Sequence, residues 1–355
     1  MKKQKQDRFS QKLNNILFFL AGVLAVVIVG IVFINFQTSA TGSETPDYLQ
    51  HAQNSTQLQS DSMSQGKEKW QEGTVSYNGK DYVYNTNLEV YLLMGIDKEG
   101  PVETAPDSVS GGQSDAMFLL VADKENEQLS VVAINRNTMT TIEAYDETGK
   151  SLGEINAQIC GQHGFGDGKK LSCSRSVSAV SKLFYNLPIS GYMSINMDAI
   201  GDINDAVGGV EVNVLQDISS PEKGVNLTAG ETKTLNGNEA YCYLRSRDTS
   251  QFDSATDRLQ RQEQYLNSFI QRIQSQSQAN SVLALDIYNS VKDYLVTDVD
   301  FTSLVTSLMG YEYSPERMYT VPGETVKGDT YEEYNVDQEQ FYDMVINIFY
   351  TEVTE

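Results

Sequence analysis

Apolar runs of strand length alternate with amphipathic stretches of helical period, which predicts an α/β fold with helices layered on both faces of one sheet. A second observation sets that fold behind a membrane: residues 16–36 hold no charged side chain and follow a basic N-terminal tail. A third is that no segment repeats at a fixed period, so one large domain is expected rather than an array.

The tail, residues 1–15, carries Lys2, Lys3, Lys5, Arg8 and Lys12 against one acid, Asp7. The apolar run that follows matches the ~20 residues a helix needs to cross the hydrocarbon core. It exceeds the ~7–15 residues of a signal-peptide apolar region. It is therefore read as a single transmembrane helix, with the basic tail held in the cytoplasm and the rest of the chain outside the cell. Residues 37–73, rich in Ser, Thr and Gln, read as a polar stalk. The extracellular domain is expected over residues 74–350.

A hairpin opens that domain. Residues 74–77 and 81–84 flank Asn78-Gly79, a pair that tolerates the positive φ of a type I′ turn. Residues 88–96, 117–122 and 129–134 are apolar strands, the first running into Asp97. Residues 175–185 form a helical pattern with Val177, Val180, Leu183 and Phe184 on one face. A strand at 191–195 precedes a helix at 197–207, which Gly208-Gly209 stops. A strand at 210–214 follows, then a short helix at 235–244 that runs into Arg245-Ser246-Arg247. Residues 257–274 make a long amphipathic helix with Leu259, Leu266, Phe269, Ile270 and Ile273 on its apolar stripe. Helices at 282–294, 301–311 and 338–349 complete the domain.

The formal charge is −22, from 48 acidic and 26 basic residues. A chain this acidic repels nucleic acid unless its basic groups are gathered in one place. Only two histidines occur, and His51 lies in the stalk, which speaks against a Ser-His-Asp hydrolase. Cys160 and Cys173 bracket a short loop, and in an exported domain a disulfide between them is expected. Zinc binding by Cys160, His163, Asp167 and Cys173 fits no common ligand spacing. Cys242, among aromatics, reads as a buried apolar filler.

Eight arginines lie beyond the apolar run, and five of them fall in three short stretches. Arg136 follows an apolar strand. Arg245 and Arg247 follow a short helix. Arg258 and Arg261 share one face in the first turns of the long helix, where free N–H groups favour an anion. Any one of these arginines would ordinarily be paired with a surface carboxylate. Five together, at strand and helix ends of an acidic domain, point to a site for a multiply charged anion, because guanidinium groups pair with phosphate oxygens bidentately. Asp97 and Asp115 stand at neighbouring strand ends and supply the hard oxygens that Mg²⁺ prefers beside substrate phosphates.

Six segments then occur in order: Met94-Gly95-Ile96-Asp97, Gln113-Ser114-Asp115-Ala116, Ile134-Asn135-Arg136-Asn137-Thr138, Asp205-Ala206-Val207-Gly208-Gly209-Val210, Leu244-Arg245-Ser246-Arg247-Asp248 and Asp257-Arg258-Leu259-Gln260-Arg261-Gln262. Together they resemble the successive motifs of the LytR-CpsA-Psr family, from about residue 78 to 349. The resemblance implies a three-layer α-β-α sandwich around a mixed sheet. It implies a Mg²⁺-dependent transferase, with Mn²⁺ as a possible substitute, anchored outside the membrane of a Gram-positive cell. Its substrates would be an anionic glycopolymer such as teichoic acid on a polyprenyl-pyrophosphate carrier, and peptidoglycan as acceptor. By the same resemblance Asp97 and Asp115 hold the metal, Arg136, Arg245, Arg247, Arg258 and Arg261 hold the pyrophosphate, and Gln262 lies nearby. Arg136, Arg245 and Arg247 are the expected catalytic residues. Three positions depart from the family pattern: Asn137 for Asp, Gln113 for a basic residue, and Lys98 for Arg. Two other readings remain open, a non-catalytic envelope protein that binds such glycans or regulates wall assembly, and a polyprenyl-pyrophosphate phosphatase.

Overall fold

The computed structural model describes residues 74–248, 250–277, 283–300 and 311–353. The expected basic tail, transmembrane helix and stalk, and the helix expected at 301–311 apart from its last residue, lie outside the described residues.

Strands β1 (Val75–Tyr77) and β2 (Lys80–Tyr84) form the opening hairpin, with Asn78 at φ 50° and Gly79 at φ 76°. That is the left-handed backbone which Asn and Gly adopt at low cost. β3 (Leu88–Ile96), β4 (Ser114–Asp123) and β5 (Gln128–Ile134) are buried, mostly apolar meander strands. β6 (Met139–Tyr145) and β7 (Ser151–Gln158) make a second hairpin, closed by a buried 3₁₀ helix, Ile159–Gly164. Helix α1 (Lys170–Leu183), strand β8 (Gly191–Asn196) and helix α2 (Ala199–Ala206) follow.

Four short strands come next: β9 (Val210–Asn213), β10 (Ile218–Ser220), β11 (Val225–Leu227) and β12 (Thr232–Leu235). Helix α3 (Gly237–Arg245) starts at an Asn236–Glu239 capping box, and α4 (Ser254–Ser277) is the long amphipathic helix. The chain continues through α5 (Leu283–Val291), β13 (Leu295–Thr297), β14 (Glu312–Thr320), β15 (Gly323–Lys327), β16 (Glu332–Val336), α6 (Gln338–Phe349) and β17 (Tyr350–Glu352).

The central sheet has the order β13-β8-β3-β4-β5-β14 and is mixed. β3 pairs antiparallel with β4 and parallel with β8, while β14 runs parallel to β5. Because side chains alternate along a strand, β3 feeds two separate cores. Tyr91 and Leu93 join α2, α3, α4 and α5 on one face through Ile200, Ile203, Tyr243, Leu259, Leu266 and Phe269. Val90, Leu92 and Met94 join α1 and α6 on the other through Ala179, Val180, Phe341 and Phe349. The expected helix–sheet–helix layering is therefore present over the described residues.

Three strand ends converge at one edge of the sheet: the C-termini of β3 and β5 and the N-terminus of β4. Here the β3–β4 ladder slips, since Gly95 faces Ala116 but Ile96 faces Ser114. The extra residue is Asp115, and such a bulge re-aims a side chain beside a site.

Phe118 at the middle of β4 is fully buried. Phe118→Ala should lower unfolding stability by about 3–5 kcal/mol through lost burial and the cavity left behind. Chemical denaturation of the isolated domain checks this, and a loss under ~1 kcal/mol would show that the sheet is not packed there as described.

Candidate functional site

At the bulge, the carboxylate of Asp115 is 3% exposed and its Oδ1 lies 2.7 Å from Nη1 of Arg136. Its Oδ2 has no hydrogen-bond partner among the described residues. Asp97, just past β3, accepts the Gln113 N–H at 2.6 Å through Oδ1. Gly112 makes that approach possible, because a Cβ there would stand 2.7 Å from the same oxygen and its φ is +83°. Burial, then the charge of Asp115, pushes the Asp97 pKa up to about 7. Burial likewise raises Asp115, against the pull of Arg136, Arg258, Arg247 and Arg245.

Arg136 leaves β5 through Asn135 and Asn137, whose backbone is tied by the Asn135 side chain accepting the Asn137 N–H at 2.9 Å. Its Nη2 donates to the Gln113 side-chain oxygen and to the Cys160 Sγ at 3.1 Å. Burial opposes the Arg136 charge, yet the Asp115 carboxylate holds its pKa above the usual arginine value.

Arg245 closes α3, with Nη1 3.5 Å from the exposed Glu99 and its guanidinium over the Tyr241 ring at 4.9 Å. Arg247 is held more firmly: Nε donates to Ser254 Oγ at 2.8 Å and Nη2 meets Glu332 at 2.9 Å. The other oxygen of Glu332 accepts the Asp253 N–H at 2.9 Å. Arg258 and Arg261, each 1% exposed, sit in the first two turns of α4, and the next residue, Gln262, is equally buried. Arg261 Nη2 donates to the Ser246 carbonyl, while its Nε and Nη1 have no hydrogen-bond partner among the described residues.

Burial disfavours the charge on all four of these arginines. Burial drives Arg258 well below its usual value against the pull of Asp115, with Arg136, Arg247 and Arg261 adding like-charge repulsion, and burial brings Arg261 down to about 10. A concentration of guanidinium groups that repel one another in a buried setting is stabilised by an anion bound among them.

The structure thus brings Asp97, Asp115, Arg136, Arg245, Arg247 and Arg258 within electrostatic reach of one another, with Arg261 and Gln262 next along α4. Among the described residues no group of three or more His, Cys, Asp and Glu side chains forms a ready metal cage. The two carboxylates nevertheless repel each other, and Asp115 is buried and incompletely hydrogen-bonded beside the half-buried Asp97, which suits a Mg²⁺ that takes its other oxygens from phosphate and water.

The expected disulfide is not there. Cys160, Cys173 and Cys242 are all free and buried. Cys160 sits in the 3₁₀ helix with its sulfur on Arg136, whereas Cys173 in α1 turns to Ser194 Oγ at 3.2 Å and His163 Nε2 at 3.8 Å. The two thiols serve different neighbourhoods. In the same segment His163 directs Nδ1 to the Gly112 carbonyl at 3.0 Å.

Cys160, Gln113 and Glu332 hold the site arginines, and no local signal in the sequence marked them for that. Gln113 explains its own departure from the family pattern: an amide oxygen receives Arg136 where a basic residue would repel it. Asn137 works structurally, its Oδ1 accepting the Gln158 Nε2 at 3.0 Å to fasten the β6–β7 hairpin. Lys98 lies exposed next to Asp97.

The family model described as the LytR_cpsA_psr family matches residues 47–348. A curated relative from Oceanobacillus iheyensis, named polyisoprenyl-teichoic acid–peptidoglycan teichoic acid transferase TagU, is 30% identical over 256 residues, 70% of this chain and 71% of its own. The protein of that name from Bacillus mycoides is 28% identical over 292 residues, 81% of this chain and 82% of its own. Among solved structures, a Streptococcus agalactiae protein superposes with a TM-score of 0.59 at 20% identity, covering 74% of this chain and 87% of that one. TagV of B. subtilis gives a TM-score of 0.56 at 22% identity, covering 74% and 96%. These two structures share the fold of this chain.

Two measurements follow. Denatured without reductant, the protein should titrate three thiols; a single thiol would restore the disulfide. The second concerns His163, fully buried, whose pKa burial lowers to about 4 from an ordinary value of about 6.5. Between pH 6.5 and 4 the unfolded chain takes up a proton that the folded chain refuses, so His163 contributes a loss of stability as pH falls through that window. Asp97 acts in the opposite sense, since its raised pKa lets the folded chain bind a proton below pH 7. Comparison with His163→Asn isolates the histidine: the stability of the wild type relative to the variant should drop by about 3 kcal/mol from pH 6.5 to 4. A pH-independent difference would show that His163 is not buried neutral.

Proposed function

The chain belongs to the LytR_cpsA_psr family, and from that premise we propose that it transfers an anionic glycopolymer from a polyprenyl-pyrophosphate carrier to peptidoglycan. The observation that carries this reading is the gathering of Arg136, Arg245, Arg247 and Arg258 around the buried Asp115. The teichoic acid transferase activity in the relatives' names agrees with it.

In this reading a sugar hydroxyl of peptidoglycan attacks the phosphorus next to the glycan. A new P–O bond forms, the bond to the bridging oxygen breaks, and polyprenyl phosphate leaves. No protein nucleophile is needed, because phosphoryl transfer is catalysed mainly by positioning and charge stabilisation. Arg136, fixed by Asp115, Gln113 and Cys160, presents a rigid donor fork. Arg245 and Arg247 stabilise charge on the transferring phosphate, and Arg258 and Arg261 neutralise the rest of the pyrophosphate from the first turns of α4. Asp97 and Asp115 would hold Mg²⁺, or Mn²⁺ in its place, which would supply further charge neutralisation when bound. The apolar run at 16–36 would anchor the chain so that this domain faces the lipid-linked donor outside the cell.

The test is a transfer assay with labelled polyprenyl-pyrophosphate glycan, with and without peptidoglycan. The expected result is Mg²⁺-dependent label on peptidoglycan and little release to water. Release without acceptor would make the protein a phosphatase, and no conversion would make it a binding protein. Arg245→Ala should reduce transfer about ten- to a hundredfold. Asp97→Asn should raise the Mg²⁺ concentration needed for half-maximal rate. Arg317→Ala, on β14 and outside the cluster, should leave activity near wild type. Equal effects of Arg245→Ala and Arg317→Ala would mean the anion site is elsewhere.

A further inference from the structure

A pocket is formed by residues of β6, the 3₁₀ helix and α1. Its volume is about 250 Å³, and Thr141, Tyr145, Gln162, Ser174, Arg175 and Lys182 line it. That is below the ~300–1,000 Å³ usual for drug-sized ligands and suits one sugar unit.

The chemistry of its walls is distinctive for this chain. One wall is α1, which carries Lys170, Arg175 and Lys182 and follows Lys169. No acid occurs from residue 168 to residue 197 in a chain of net charge −22. The Arg175 guanidinium carbon lies over the Tyr145 ring, 3.3 Å from its centre, and makes no ion pair within 4 Å among the described residues. Glu143 also lines the pocket and keeps its charge: Tyr145 Oη donates to one oxygen at 2.7 Å and Ser151 Oγ to the other at 2.8 Å, and Lys182 and Arg175 add to the stabilisation of the carboxylate. Lys182 pairs only with the exposed Glu154, a contact that contributes little and exchanges readily. The Ser174 and Ser178 hydroxyls donate to carbonyls one turn back, leaving their oxygens to accept from a ligand hydroxyl. An oriented cation, an aromatic ring and several hydroxyl and amide groups around a single-sugar volume form a site for a charged sugar.

Its position connects it to the first site. Gln162 grips the Glu143 backbone from both sides, through Oε1 at 2.8 Å and Nε2 at 3.0 Å. Two residues earlier on the same 3₁₀ helix, Cys160 touches Arg136. The 3₁₀ helix therefore contributes one residue to the arginine cluster and one to this pocket.

We propose that the pocket formed by α1 and the β6–β7 hairpin binds a sugar unit that bears an oxyanion, and so holds one of the two polymers in register with the arginine cluster. The oxyanion is either a phosphodiester of the donor polymer or a carboxylate of the peptidoglycan acceptor. The identity of those polymers rests on the transferase reading, but binding at the pocket is measured without any transfer.

The purified domain is titrated by calorimetry and by amide NMR with three probes: a lipid-free teichoic acid oligomer, a muramyl dipeptide and a neutral N-acetylglucosamine trimer. One of the two anionic probes should bind, more weakly at higher salt, and shift amides of α1 and β6; which one it is identifies the polymer. Arg175→Gln and Lys182→Gln should each weaken that binding about tenfold, and Arg317→Gln, outside the arginine cluster and the pocket lining, should leave it unchanged. Lys182 is half-exposed, so its variant keeps the test valid if Arg175→Gln perturbs folding. Binding by no probe, equal binding of the neutral trimer, or a loss caused by Arg317→Gln but by neither α1 variant would overturn the proposal. Transfer activity that persists with no pocket binding would sink this inference alone; pocket binding with no transfer would sink the transferase reading alone.

Discussion

The buried ion pair between Asp115 and Arg136 is the contact around which the site is organised. It joins a bulge in β4 to the end of β5, and it is almost wholly shielded from water. Removing one partner of such a pair strands the other charge at a cost of about 3–5 kcal/mol. The surrounding groups are arranged for that pair. Gln113 and Cys160 accept from Nη2 of Arg136, while Gln113 also donates its backbone N–H to Asp97. Gly112 gives Asp97 the room to come close.

From that pair the fold builds outward by two routes. The loop after α3 and the start of α4 bring four more guanidinium groups, and Glu332 from the far end of the chain clamps Arg247 and the Asp253 backbone together. The 3₁₀ helix after β7 places Cys160 on Arg136 and Gln162 on the backbone of β6, so the hairpin shares a support with the site. The like-charged arginines are kept at some expense in stability: burial and mutual repulsion disfavour them in the free protein. That is a common signature of a functional site, and a bound polyanion relieves it.

Much of the scaffold was legible because local pattern and tertiary need agreed. β3 and α6 fall on the very residues their apolar periodicity marks, and the Asn78-Gly79 turn has the expected backbone. The β6–β7 hairpin was not legible, because its strands are half-exposed and mix Thr, Glu and Gln with few apolar side chains. Helix α1 begins five residues earlier than its apolar stripe, since its first turns present Lys and Ser rather than a core face. The arginines and aspartates could be picked out by residue type and position at element ends. Their partners could not: Cys160 read as half of a disulfide, and Glu332 stands 85 residues from Arg247 in sequence. Long-range side-chain pairing leaves no local trace.

The central claim is that the arginine cluster is strained when empty and relieved by a diphosphate. Thermal unfolding of the domain with increasing inorganic pyrophosphate, compared between wild type and Arg258→Met, tests it most directly. Ligand that binds only the folded state raises stability by RT ln(1 + [L]/Kd). The account predicts a rising melting temperature for the wild type. It predicts a much smaller rise for Arg258→Met, since a guanidinium that would meet the diphosphate has been replaced by an apolar side chain of similar length. A variant that keeps the full pyrophosphate-induced rise, or a wild type that shows none, would contradict it.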